Sequence, residues 1–157
     1  MTFLSLVSRG VAAGAAGTTA LNTTTYLDMA LRGRPSSSTP QDSVEALADK
    51  AGLGIPGSGE KRDNRLSGLG PMLGILAGTG TGALLGLARA AGWRAGPIPT
   101  TMAATAIAFA AGNLPMTALG ISDPRSWSVA DWVSDAIPHL AYGAATSLVL
   151  LGLSDGD

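Results

Sequence analysis

Four uncharged runs constrain this chain more than any other feature: residues 10–27, 66–88, 95–122 and 136–153 hold no Asp, Glu, Lys or Arg. Each is about as long as the ~20 residues a helix needs to cross the hydrocarbon core of a bilayer. Eleven of the twenty-one charged residues crowd instead between Arg32 and Arg65. The runs are rich in Ala, Gly and Thr rather than Leu, which leaves open both a soluble helical bundle and a polytopic membrane protein. Aromatic placement favours the membrane. Tyr26, Trp93, Trp127 and Trp132 stand near the ends of the runs, where amphipathic rings meet headgroups.

The expected fold is all-α, a single membrane domain of four transmembrane helices over about residues 4–30, 66–91, 97–120 and 128–152, with a loop at 31–65. Gly92, Gly96 and Pro97, then Gly120 and Pro124, punctuate the short turns, so the last three spans run antiparallel as neighbours. Within the long loop, Thr39 is placed to cap a helix that opens on Pro40. Val44, Leu47, Ala48 and Ala51 recur at helical spacing. The expectation is a short amphipathic helix over residues 40–51, stopped by Gly52 and laid on the membrane surface or the bundle end; the alternative is a flexible loop with nascent helix.

Seven of the ten basic residues (Arg32, Arg34, Lys50, Lys61, Arg62, Arg65 and Arg125) lie on the side of the long loop, against Arg9, Arg89 and Arg94 on the other. The positive-inside rule puts that loop in the cytoplasm and both termini outside. The first segment reads as a retained membrane helix, since Arg9 is its only early positive charge and its apolar run is weak for a secretory signal. Arg outnumbers Lys, and Ala and Gly are abundant, a composition that fits a GC-rich bacterial genome and hence a multi-pass protein of the bacterial cytoplasmic (inner) membrane. Its expected partner is the lipid bilayer, with a homo-oligomer or a larger membrane complex open. A net charge of −1 gives no reason to expect nucleic acid. With no cysteine and one histidine, neither a catalytic set, a metal site nor a cofactor is expected.

The stretch GPMLGILAGTGTGALLG contains Gly78-Thr-Gly80-Thr-Gly82-Ala83, a loose dinucleotide fingerprint. Such a loop needs a strand before it and an acidic residue about twenty positions on. Here the flanks are apolar runs and the next acid is Asp123, so context excludes it. Gly70, Gly74, Gly78, Gly82 and Gly86 instead recur every fourth residue. In water each interior glycine costs a helix about 1 kcal/mol relative to Ala; in lipid the offset comes from close backbone approach. Gly10 and Gly14 on the first span, and Ala104, Ala108 and Gly112 on the third, are matched partners. Packing within one chain and a self-associating face are both open.

On the last span, Ser128, Asp131, Asp135, His139, Tyr142 and Thr146 share an arc of roughly 80° at about 100° per residue. Ionisable groups inside a membrane are costly and ask for a reason. Asp131, three after Ser128, suits helix capping. Tyr142 and Thr146 can bond across helices. Asp135 and His139, four apart, can share a proton or a hydrogen bond. Pro138 weakens the helix between them, while Asn113, Pro115, Asn22 and Thr23 to Thr25 offer further polar groups on other spans. Two functions follow: a structural or accessory four-helix component whose polar groups form an interhelical network, with Arg9 or Arg89 as counter-charge, or a small proton-linked transporter or channel using Asp135 and His139.

The run RGRPSSSTPQDSVEALADKAG after the first span, the Gly-rich second span and the closing PHLAYG resemble, in layout, small four-helix bacterial membrane proteins of unassigned activity, and more remotely the YagU-like inner-membrane family. The resemblance implies an inner-membrane location and carries no functional residues.

Overall fold

A computed structural model describes residues 2–153. Among them are five α-helices, one 3-10 turn and no strand. The helices are α1 (Phe3–Arg32), α2 (Thr39–Lys50), α3 (Glu60–Ala90), α4 (Pro97–Ala118) and α5 (Val129–Gly152), with the 3-10 turn Pro124–Ser126 leading into α5. The all-α class is as expected.

Local chemistry sets the boundaries. The Thr2 side chain accepts a bond from the Ser5 amide to start α1. Gly33 ends it at φ 62°, where the Gly33 and Arg34 amides return to the Met29 carbonyl, satisfying an orphan group of the last turn. The start of α2 corrects the expected cap. Thr39 lies inside the helix; its amide donates to the Ser37 hydroxyl, and Ser38 takes the cap position and binds Asp42. α3 begins six residues before its uncharged run, because Gly59 opens a polar first turn carrying Glu60 and Asp63. Acids there favour the positive end of the helix dipole.

Residues that meet across helices define the topology. Leu6 lies against Gly86 and Gly14 against Gly78, so α1 and α3 are antiparallel; Gly17 against Tyr142 and Arg32 against Ser134 do the same for α1 and α5. Asn113 meets Asp135 and Ser147 meets Pro97, which makes α4 and α5 antiparallel. The long helices thus form an up-down-up-down bundle, with α1 packed most closely on α3 and α5, and α3 only lightly on α4. α2 lies over the loop end, its Pro40 and Gln41 against Gly70, held by an ion pair from Glu45 to Arg62.

Small and polar side chains share the interior with Leu85, Tyr142 and Leu150. Ala13, Ala104, Thr81, Thr100, Thr146 and Ser147 are all at most 2% exposed, whereas Leu31, Ile98, Leu148 and Val129 are more than 70% exposed. Only α3 combines the length and the hydropathy of a membrane-crossing helix. α1, α4 and α5, at 30, 22 and 24 residues, have the length, but Ala, Gly and Thr lower their hydropathy, as do Asp135 and His139 in α5. By that measure the four expected spans reduce to one.

Candidate functional site

The bundle divides at about the level of Tyr142. Away from the loop, α1 and α3 close on a glycine seam. A methyl group added at Gly14 would stand 2.6 Å from the Gly78 carbonyl oxygen and 3.0 Å from the Gly82 Cα, and one at Gly86 would stand 2.5 Å from the Leu6 carbonyl oxygen. One at Gly82 would strike the Gly10 carbonyl. Backbones this close leave no room for any Cβ, which is the use the helix makes of glycine here. The five-membered ladder therefore divides. Gly78, Gly82 and Gly86 face α1, Gly70 faces α2, and a methyl at Gly74 would have no neighbour within 4 Å. Of the expected partners, Gly10 and Gly14 meet the ladder; α4 turns its Thr101 and Thr105 to Gly143 of α5 instead. Tyr142, 1% exposed, closes the seam by donating its hydroxyl to the Gly78 carbonyl at 2.6 Å.

On the loop side of Tyr142 the helices part around two adjoining cavities of about 370 and 430 Å³, which share Leu21, Thr25, Ser37, Pro40 and His139. The first is mostly apolar, walled by Leu21, Met29, Pro71, Ile75 and Ala108 and roofed by Ser36, Ser37, Pro40 and Gln41. The second is more polar and reaches the surface beside the exposed Asp131 and Arg32, with Asn113, Ser134 and Asp135 in its wall.

His139 stands between them, ten residues and so about 15 Å into α5. Its Nδ1 lies 2.7 Å from the Asp135 carbonyl oxygen and 3.5 Å from the Asp135 carboxylate. A carbonyl only accepts, so Nδ1 carries a hydrogen in this contact. Phe109 holds the ring from the side in an edge contact at 5.3 Å, and stacks in turn on Trp132. Asn113, 4% exposed, donates from Nδ2 to the Asp135 carboxylate at 2.9 Å and to the Phe109 carbonyl at 3.2 Å. Both its N–H groups are then committed. Its Oδ1 is buried with no hydrogen-bond partner, as is Gln41 Oε1. Leaving such a group unpaired costs about 1–3 kcal/mol.

Of the residues singled out from the sequence, Asp135, His139 and Asn113 come together. Tyr142 bounds the first cavity but gives its hydroxyl to the seam. Asp131 forms a capping box with Ser128 at the start of α5, one turn outside the cluster. Asn22 and Thr25 line the first cavity, while Thr23 and Thr24 bond carbonyls of their own helix. Arg9 and Arg89 are not counter-charges to Asp135. The antiparallel order puts them at the opposite end, where Arg9 donates to the Leu153 carbonyl and Arg94 to that of Arg89.

The cations near the cluster are instead Arg32 and Arg34, both bonded to Asp28, with Arg32 also donating to Ser134 at 2.7 Å. Sequence reasoning missed this Asp28 group and Gln41. The i,i+4 spacing of Asp28 and Arg32 was a visible signal; the approach of Gln41 to the cavity depends on how α2 folds back, for which no local signal exists. Among the described residues no three His, Asp or Glu side chains converge as a metal site. No family model matches the chain, and no curated protein or solved structure matches it either.

Proposed function

We propose that the chain is a multi-pass protein of the bacterial cytoplasmic membrane, crossed by α1, α3, α4 and α5, and that it is a small proton-linked transporter whose solute binds beside Asp135 and His139. The observation that carries the functional part is the position of His139, which lines both adjoining cavities with its ring 3.5 Å from the Asp135 carboxylate.

Several features support the membrane part. The most apolar stretch of α3 is only 22% buried, unlike the core helix of a soluble protein. Large apolar side chains are exposed on every long helix, and small residues such as Ala13, Ala104, Thr81 and Asn113 share the interior with Leu85, Tyr142 and Leu150. That arrangement would be costly against water and is stable against acyl chains, where small residues drive helix association. The layout likeness to the YagU-like family points the same way.

The test is a proteoliposome flux assay under an imposed pH gradient. Wild type carries a pH-dependent flux; Asp135→Asn and His139→Ala, folded by circular dichroism, lose it. Absence of flux under every gradient counts against transport.

A second reading, a structural or accessory subunit of a larger envelope complex, is favoured by the exposed apolar face of α3 at Met72, Leu76 and Leu84, which lies outside the cavities. It expects a stable complex recovered by crosslinking in the membrane, and no flux.

A further inference from the structure

We infer that Arg89 anchors the phosphate of an anionic phospholipid at the end of the bundle away from the loop; this rests on the membrane part of the proposed function and not on transport. The inward stripe of α3 runs through Gly78, Thr81, Gly82, Leu85 and Gly86 and ends on Arg89, which is 7% exposed. Steps of three and four residues keep it on the face that holds Leu85 and Gly86. Its stem is therefore buried, one residue short of the end of the helix. A guanidinium is a fixed charge with five N–H donors. The Arg89 side chain makes no hydrogen bond, ion pair or ring contact with any described residue.

The ordinary partners of an arginine in a last turn are taken or distant. The carbonyls of Leu87, Ala88 and Arg89 receive the amides of Ala91, Trp93 and Gly92, and Arg94 also donates to that of Arg89. Every Asp and Glu among the described residues lies on the loop side of Tyr142. None of the Arg89 nitrogens is among the buried side-chain atoms without a partner, so the tip meets the surface while the stem stays inside.

Whatever meets that tip brings acceptors and negative charge to the bundle end. Trp93 and Arg94 follow the last turn of α3, and Arg9 stands at the same end. Aromatic rings at the end of a span mark the headgroup level. A phosphodiester there offers two free oxygens, which a guanidinium fork takes in parallel. Net charge narrows the class. With three arginines and no described acid at this end, a headgroup carrying its own ammonium brings a cation to a positive surface, whereas a phosphatidylglycerol brings the anion alone.

The full chain, stripped of lipid in detergent, is offered equal amounts of phosphatidylglycerol and phosphatidylcholine with matched acyl chains, and retained lipid is read by native mass spectrometry. Phosphatidylglycerol should be retained about ten-fold over phosphatidylcholine. Arg89→Gln should remove the preference, while Arg125→Gln, in the exposed turn before α5, should keep it. Arg89→Lys keeps charge and stem but loses the fork, should fall between the two, and carries the test if Arg89→Gln does not fold. Equal retention of both lipids, or a preference unchanged in either Arg89 variant, overturns the site. Inorganic phosphate at millimolar concentration should not displace the lipid, since it brings no acyl chains; displacement assigns the site to a soluble oxyanion and overturns the lipid. Neutralising Asp155 and Asp157, which lie beyond the described residues, should leave the preference as it is; a preference seen only in that variant makes them the partner of Arg89 and overturns the lipid too. If the chain stays in solution without detergent, the membrane reading falls as well; if it needs detergent and shows no preference, only the lipid site falls.

Discussion

The two halves of this bundle are made from the same small residues and behave as opposites. Beyond Tyr142, glycines let α1 and α3 touch backbone to backbone and no space remains. On the loop side, Gly70 and Gly74 continue the same spacing, but α2 and open space take the place of α1. A four-residue glycine repeat thus states only that a helix can be approached closely. Whether it is depends on the partner chain beside it, and here the partner changes halfway along.

The largest test of that contrast is Gly82→Val. Its side chain would have to displace the α1 backbone at Gly10 and Gly14, so a loss of about 3 kcal/mol or more is expected, seen as loss of the folded monomer by size exclusion in detergent. Tyr142→Phe, at the boundary, removes the hydroxyl bond to the Gly78 carbonyl, which keeps its helical Gly82 amide, and should cost about 0.5–1.5 kcal/mol in thermal unfolding. Gly74→Ala, with the same repeat but nothing nearby, should stabilise the helix by up to about 1 kcal/mol. If it destabilises as Gly82→Val does, the two halves are not different. A labelling experiment reads sidedness. On the proposed topology, Ser37→Cys, exposed in the loop, should react with an impermeant maleimide only from the cytoplasmic side, and labelling from the outside alone reverses that orientation.

The smallest effect is expected in the turn before α5, outside both halves. The Arg125 guanidinium, by its hydrogen bonds to Asp123, holds that carboxyl below the ordinary carboxylate range. A lowered folded-state value means the contribution is present above the unfolded value and disappears as pH falls through the folded one. Because the pair is exposed, Asp123→Asn should leave thermal unfolding at neutral pH almost unchanged.

The helices were legible in the sequence because uncharged runs and Gly or Pro punctuation are local signals. Their ends moved where short polar chemistry decided: Ser38 rather than Thr39 opens α2, and Gly59 extends α3 past Leu66. Asp135 and His139 were legible as a pair because helical periodicity places them on one face. Their surroundings were not. Which arginine approaches α5, and that Gln41 closes the cavity, follow from the antiparallel order and the folding back of α2, and neither is written at any one position. The expectation of α4 as a partner for the glycine ladder failed for the same reason, since small residues at a four-residue spacing do not name the helix they will meet.

The seam between Gly10, Gly14 and Gly82 also bears on how this protein can change over generations. A single substitution there has no compensating move on the other side, because the opposing surface is main chain and cannot be traded for a smaller group. Apolar cavity walls such as Met29 and Ile75 face empty volume and can be exchanged one at a time. Descendants would keep the glycines fixed and drift at positions such as Met29 and Ile75.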